Sequence, residues 1–158
     1  MGPQLPAARH VAGQVRARTW RATVAALALL GAGIAAYLAY VRYAHVAIAC
    51  TTGGCEKVQS SRYAEVVGVP VAVLGLGGYL AILATTLRDD ALARVSGLWL
   101  AAIGVAFSLY LLVIQLAVID AICQWCVASD IVMLLLFVAT AVRLRSPVPA
   151  GASLTTAQ

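Results

Sequence analysis

Four cysteines are the residues of this chain whose type and spacing favour chemistry. Cys50 and Cys55 flank a four-residue segment, and Cys123 and Cys126 form a Cys-Gln-Trp-Cys motif. In a Cys-x-x-Cys pair at a helix start, free backbone N–H groups and the helix dipole stabilise a thiolate. A thiolate is both a nucleophile and an electron donor. The cysteines therefore point to thiol–disulfide chemistry.

The spacing alone leaves three uses of the cysteines open. Two structural disulfides are typical of proteins outside the cytoplasm. A four-cysteine zinc site also fits Cys-x-x-Cys, although apolar surroundings disfavour four clustered thiolates. The third use is a redox relay. Gly53 and Gly54 predict a flexible loop dithiol that exchanges with the second pair. We favour the relay.

The composition places these cysteines in a membrane protein. Of the 158 residues, 63% are hydrophobic and 11% are charged. A soluble domain has about 45–50% apolar and about 25% charged residues. The sequence is therefore not a disordered chain, a coiled coil or an ordinary soluble domain.

Four apolar segments, at about 22–41, 70–87, 95–119 and 123–142, approach the roughly 20 residues that cross a bilayer. Backbone groups in lipid must be hydrogen-bonded internally, so the segments should be helices. We predict an all-α integral membrane four-helix bundle, with a catalytic domain at 22–142. A basic N-terminal segment, 1–21, precedes it and a tail, 143–158, follows. The first external loop should contain a short amphipathic helix over 58–67, with Val58, Tyr63, Val66 and Val67 on its apolar face.

The distribution of basic residues predicts the orientation. Eight of the 11 Lys and Arg residues lie on the side of the two termini: Arg9, Arg16, Arg18, Arg21, Arg88, Arg94, Arg143 and Arg145. The side richer in Lys and Arg stays in the cytoplasm. Both termini are then cytoplasmic and all four cysteines lie outside, where disulfides persist. The net charge of +5 is thus an orientation signal in a lipid membrane. It does not indicate nucleic-acid binding, since no soluble basic module is present.

Several motifs together resemble the vitamin K epoxide reductase family in its bacterial form. They are the two cysteine pairs, the Glu-Lys-Val-Gln-Ser-Ser-Arg-Tyr run after Cys55, Gly68-Val-Pro70, Gly75 and Tyr79. The resemblance covers about residues 20–142. It implies a thiol:quinone oxidoreductase that oxidises a thioredoxin-like partner outside the cytoplasm and passes two electrons to a membrane quinone. Such a protein supports disulfide-bond formation.

The resemblance assigns a role to each cysteine by position. Cys50 matches the loop cysteine that exchanges with the partner. Cys55 matches the loop cysteine that attacks Cys123, and Cys126 matches the cysteine that faces the quinone. The electron acceptor it implies is menaquinone, ubiquinone or a related quinone, with no metal.

Five residues are predicted to bind the quinone: Cys126, Ser61, Trp125, Asp130 and Tyr79. Ser61 matches a family serine near the active site, although a helix cap or polar loop residue fits it equally. Asp130 lies one helical turn after Cys126 and is an ionisable residue inside a membrane helix. It either contacts the quinone and relays a proton, or reaches interfacial water.

The sequence also departs from the family pattern. Too few residues follow the fourth segment for a fused thioredoxin-like domain, so we expect a separate partner protein and a location in the bacterial cell (inner) membrane. Val71-Ala-Val-Leu74 and Ser129-Asp130 replace the quinone-contacting asparagine and Thr-Tyr pair of the mammalian branch. Plain quinone reduction is therefore the expectation, rather than epoxide reduction.

Two rival interpretations remain. The unrelated B-type bacterial disulfide-forming protein catalyses a similar reaction, but its Cys-x-x-Cys lies in the first external loop, whereas here it comes last. The other rival is a small membrane scaffold or metal-binding protein with structural cysteines.

Overall fold

A computed structural model of the protein describes residues 4–145. Its helices are α1 (Gln4–Ala44), α2 (Cys55–Gln59), α3 (Val71–Thr85), α4 (Ala91–Ile114) and α5 (Gln124–Arg145). A 3-10 helix (Arg62–Ala64) and the strands β1 (Glu65–Val66) and β2 (Val69–Pro70) lie between α2 and α3, and a π-helical turn (Gln115–Ile119) ends α4. Residues 146–158 of the predicted tail lie outside the described part of the chain.

Four of these helices form the bundle. Helix α1 packs against α3 and α5, and α4 packs against α5 and α3. Small side chains of α1, Ala28, Ala32 and Ala35, are buried at its centre. They let neighbouring helix backbones approach closely, which is how helices associate in lipid. The prediction of an all-α membrane bundle is confirmed, and the loop between its first two helices contains a short helix, α2.

The helices differ in length. Three segments of the described chain are long and apolar enough to cross a membrane: Gly13–Ala44, Ala91–Ile119 and Gln124–Arg145. Helix α3 is apolar but has only 15 residues, or about 22 Å at ~1.5 Å per residue. It is shorter than the predicted 70–87 because Pro70 belongs to β2 and the chain leaves the helix at Thr86.

The outer face of the bundle is apolar. Trp99 and Ile103 of α4 are 66% and 64% exposed, and Leu134 and Val138 of α5 are about half exposed. A large contiguous apolar surface is unfavourable in water and marks contact with lipid or protein. Together with the helix lengths, this surface makes the chain a membrane protein.

An ion cluster joins the helices at the end of the bundle remote from the cysteines. The buried guanidinium groups of Arg94 and Arg143 both donate to one carboxylate oxygen of Asp89, at 3.1 and 3.2 Å. Arg143 also donates to the carbonyls of Thr85 and Arg88, at the end of α3. Two of the arginines counted above as orientation charges therefore also stabilise the fold.

The external loop differs from the amphipathic helix predicted over 58–67. The α-helix ends at Gln59, and β1 and β2 then form an antiparallel hairpin. Val67 and Gly68, at its turn, both have positive φ angles, 53° and 80°, as a type I′ turn requires. Val67 is 99% exposed, so it does not belong to a buried apolar face. Val58 is buried as predicted.

Candidate functional site

The loop cysteines are joined in a disulfide. Cys50 lies in the irregular segment after α1, and Cys55 is the first residue of α2. Gly53, with φ of 73°, makes the turn between them. The two sulfur atoms have different surroundings, because Cys55 is fully buried whereas Cys50 is partly exposed.

The second pair lies at the start of α5 as two thiols. Their Sγ atoms are 2.8 Å apart, and the Cys126 S–H donates to Cys123. The Cys126 N–H also donates to the Cys123 sulfur, at 3.4 Å. Cys123 lies just before the helix, and the hydrogen bond from the Cys126 thiol lowers the pKa of Cys123 against the opposing effect of burial. Negative charge in the reduced pair is therefore stabilised on Cys123.

Gln115 fixes the position of Cys123. Its side-chain oxygen accepts the Cys123 backbone N–H at 3.0 Å, and Gln115 is 2% exposed. Gln115 opens the π-helical turn at the end of α4, and such turns are frequent at functional sites. It satisfies one of the backbone N–H groups that a helix start leaves free.

The fold brings the two pairs together. Cys55, Val58 and Cys123 form one buried cluster, against which Cys50 and Cys126 pack. Cys55 and Cys123 are both fully buried in it. The four cysteines, separated by up to 76 positions in sequence, thus occupy one end of the bundle.

Gly54 permits this contact. A Cβ atom added to Gly54 would lie 2.5 Å from the carbonyl oxygen of Ile122 and 2.8 Å from its nitrogen. Gly53 and Gly54 were predicted to make a flexible loop, but Gly54 has a different role, since it lets the loop backbone pack directly on the α4–α5 connection.

We therefore expect Gly54→Ala to separate the two cysteine pairs. The backbone of Gly54 is in the right-handed helical region, so alanine introduces no strain of its own and acts only through the clash with Ile122. In a Cys50→Ser/Cys126→Ser background, formation of the Cys55–Cys123 disulfide should slow at least about tenfold. The rate of formation of this disulfide is measured from band shifts on non-reducing gels after pulses of oxidant. Gly33→Ala, where an added Cβ meets nothing within 4 Å, is the control; equal rates in both variants would contradict the expectation.

A cavity of about 120 Å³ lies beside the second pair. This is close to the ~150 Å³ of an engineered apolar cavity that binds benzene, so one six-membered ring fits. Its wall includes four predicted site residues: Ser61, Tyr79, Cys126 and Asp130. Most of the remaining wall is apolar, as in typical ligand pockets. Cys126 is the cysteine that reaches this cavity; Cys123 lies behind it.

The polar groups of the cavity have distinct partners. The Tyr79 hydroxyl lies 2.8 Å from the Ser129 hydroxyl and donates to the Ser129 carbonyl. The Ser61 hydroxyl donates to the Val58 carbonyl. Asp130 has one carboxylate oxygen, Oδ2, that is buried without a hydrogen-bond partner. This Asp130 oxygen is therefore the polar atom of the cavity with the greatest need for a hydrogen-bond partner.

Trp125 lies elsewhere than predicted. Its indole N–H donates to the Ala49 carbonyl at 2.7 Å, and its ring is 4.9 Å from that of Tyr37. It packs with the cysteine cluster rather than lining the cavity. Positions 125 and 126 project about 100° apart on a helix, so Cys126 faces the cavity and its neighbour faces the loop.

Three glutamines belong to this site although the sequence did not single them out. Gln59 donates to the Cys126 sulfur at 3.9 Å, Gln115 holds Cys123, and Gln124 accepts from Thr51. Gln115 carried a usable signal, because it is a polar residue inside a predicted membrane helix. The sequence did not mark Gln59 or Gln124, because neither lies in a predicted membrane helix away from its ends; both are only partly buried in the structure.

A membrane bundle that places two cysteine pairs beside an apolar cavity defines a membrane thiol oxidoreductase. The model of the vitamin K epoxide reductase family matches residues 22–141 of the chain. The protein belongs to this family, whose members are in general membrane thiol–quinone oxidoreductases. The family is quinone-associated, typically lacks metals and generally works with thioredoxin-like partners.

Proposed function

We propose that this protein oxidises a thioredoxin-like protein and passes the two electrons through Cys50/Cys55 and then Cys123/Cys126 to a membrane quinone. One observation carries the proposal: the order of exposure of the four sulfur atoms. Cys50 is partly exposed, Cys55 and Cys123 are buried together, and Cys126 lines the cavity. This is the order in which the electrons would pass.

The first transfer is an exchange with the partner. A partner thiolate attacks the exposed sulfur of Cys50, and the partner's second thiol then releases the mixed disulfide. The products are an oxidised partner and a reduced loop pair. The burial of Cys55 supports this choice of sulfur, because a protein partner reaches only exposed atoms.

The second transfer reduces the membrane pair. The Cys55 thiolate attacks Cys123 and displaces Cys126; the Cys50 thiolate then attacks Cys55 and displaces Cys123. The loop disulfide is restored and the membrane pair becomes a dithiol.

The last transfer consumes the quinone as substrate. Cys123 first gives up its own proton to the surrounding water, since the hydrogen bond from Cys126 lowers the pKa of the Cys123 thiol. The Cys126 proton then passes along that hydrogen bond to the Cys123 sulfur, which would leave a Cys126 thiolate at the cavity wall. Two thiols and one quinone become a disulfide and one hydroquinone, so two electrons and two protons are transferred. Asp130, with its free oxygen, would hydrogen-bond a ring oxygen and deliver a proton there.

We place the protein in the bacterial cell (inner) membrane as a multi-pass protein, with both termini in the cytoplasm. The excess of Lys and Arg on the side of the termini supports this orientation. The loop disulfide supports it too, since disulfides persist outside the cytoplasm.

The test uses the purified full-length protein, a water-soluble quinone analogue and a reduced thioredoxin-like protein. We expect hydroquinone and oxidised partner to form in equal amounts. Cys50→Ala should abolish transfer from the partner, because Cys55 is buried. If Cys50 and Cys55 stay oxidised in the presence of the reduced partner and no hydroquinone forms, the protein is instead a scaffold with structural cysteines.

Asp130 gives a second prediction. We expect Asp130→Leu to lower kcat/KM for the quinone about tenfold, since the loss of one hydrogen bond costs about 1.4 kcal/mol. Asp130→Asn can still hydrogen-bond the ring oxygen but cannot deliver a proton to it. Compared with Asp130→Leu, its KM should therefore return further towards the wild-type value than its kcat does. Steady-state kinetics with varied quinone measure both constants. Asp120→Asn, outside the cavity wall, is the control, and an unchanged kcat/KM in Asp130→Leu would exclude this role.

A further inference from the structure

Gln124 connects the external loop to the start of α5. The Thr51 backbone N–H donates to the Gln124 side-chain oxygen at 3.1 Å, and the Thr51 hydroxyl donates to the same oxygen. Thr51 directly follows Cys50, and Gln124 directly follows Cys123. The contact therefore joins the two residues that each follow the first cysteine of a pair.

Other contacts hold the same loop but differ in kind. Trp125 donates to the Ala49 carbonyl, and the Thr52 hydroxyl donates to the Ile122 carbonyl at 3.0 Å. In both of these a side chain donates to a backbone carbonyl. In the contact with Thr51 the side chain at position 124 is instead the acceptor, and it receives two hydrogen bonds, so the contact needs an acceptor side chain there.

We propose that Gln124 is a positioning residue for the electron transfer between the two cysteine pairs. Its side-chain oxygen holds Thr51 so that Cys55 stays packed against Cys123 during exchange. The inference rests on the proposed function and adds a residue to it. In the step concerned, the Cys55 thiolate forms a bond to Cys123 and the Cys123–Cys126 bond breaks. The Cys50 thiolate then forms a bond to Cys55 and displaces Cys123, so the loop pair is oxidised and the membrane pair is reduced.

The physical reason is the geometry of disulfide exchange. The attacking sulfur must reach one particular sulfur of a disulfide, and here both reacting atoms are buried where small molecules do not substitute. A misplacement of about 1 Å in such a preorganised reaction can cost about 100-fold in rate. Loss of two hydrogen bonds beside the reacting pair permits a displacement of this size.

A single experiment separates this step from the others. The fully reduced protein, with four thiols, is mixed with excess water-soluble quinone analogue in a stopped-flow absorbance instrument. The first hydroquinone forms directly from Cys123 and Cys126. The second forms only after the loop pair has reduced the membrane pair. Cys55→Ala, which should yield one hydroquinone, calibrates the first phase.

We expect Gln124→Leu to slow the second phase 10- to 100-fold and to leave the first phase within about twofold. Thr51→Val keeps the N–H bond and loses the hydroxyl bond, so it should have a smaller effect on the second phase. Thr51→Ser should restore the wild-type rate. Ser60→Ala is the matched control, since Ser60 is a loop hydroxyl that bonds only the carbonyls of Glu56 and Lys57.

The outcomes are distinguishable. A second phase that slows in Gln124→Leu and Thr51→Val and recovers in Thr51→Ser supports the inference. An unchanged second phase overturns it and leaves the proposed function intact. Equal slowing of both phases also overturns it, because Gln124 would then act on the membrane pair or on the fold. A wild-type protein that forms no hydroquinone overturns the proposed function, and the inference with it.

Discussion

Replacing Cys126 with alanine is expected to lower the rate of quinone reduction at least about 1,000-fold, the scale of loss when a reacting nucleophile is removed. Cys126 is the cysteine in the cavity wall, and Cys123 is fully buried behind it. With Cys126 absent, no sulfur touches the ring. Cys123 can then pair with Cys55, but neither of these buried sulfurs lines the cavity, so their electrons do not reach the ring by direct contact.

The measurement is the single-turnover formation of hydroquinone by pre-reduced protein. Val127→Ala is the matched control, because it removes a neighbouring α5 side chain that does not line the cavity. Reduced protein should bind the analogue in both variants, which quenching of tryptophan fluorescence checks. Full turnover in Cys126→Ala would show that electrons leave the protein by another route.

Replacing Asp89 with alanine should lower the free energy of unfolding by about 3–5 kcal/mol, the usual cost of removing one partner of a buried ion pair. Arg94 and Arg143 share its carboxylate, and their side chains are only 2% exposed. Without Asp89, the two positive charges of the buried arginines stay close together with their shared carboxylate removed. The hydrogen bonds to carbonyl oxygens remain, but these groups carry no full negative charge.

Unfolding in mixed micelles, followed by tryptophan fluorescence, measures this loss. Asp90→Ala is a close control, since Asp90 is the adjacent carboxylate, is exposed and makes no side-chain capping bond to α4. We expect Asp90→Ala to change stability by less than about 1 kcal/mol. Similar small effects in both variants would mean that the ion cluster contributes little to the bundle.

Local patterns predicted much of the architecture. Helices in lipid must satisfy their own backbone groups, so an uncharged apolar stretch indicates both the type and the approximate position of each element. The predicted boundaries failed where a local feature intervened. Helix α3 starts one residue later because Pro70 pairs in the hairpin. The loop helix ends at Gln59, and the residues predicted to continue it instead form a 3-10 helix and the hairpin of β1 and β2.

The candidate site was predicted less completely. Residue chemistry singles out cysteines and an intramembrane aspartate, but it does not tell which side of a helix faces a cavity. Trp125 was therefore placed beside the quinone, whereas it packs against the loop. Gln115 and Gln124 were missed because their roles depend on bonds to residues brought close only by folding.

By itself, the sequence determined the membrane bundle, the family resemblance and the four cysteines, since composition, spacing and residue chemistry are local properties of the chain. The resemblance implied that Cys55 meets Cys123 and that Cys126 faces the quinone. Only the tertiary structure shows the buried cluster and the cavity wall in which these sulfurs lie, and only it decided that Gln124 connects the two pairs. These are contacts between segments far apart in sequence. They depend on the packing of α5 and the external loop against each other, which no local pattern specifies.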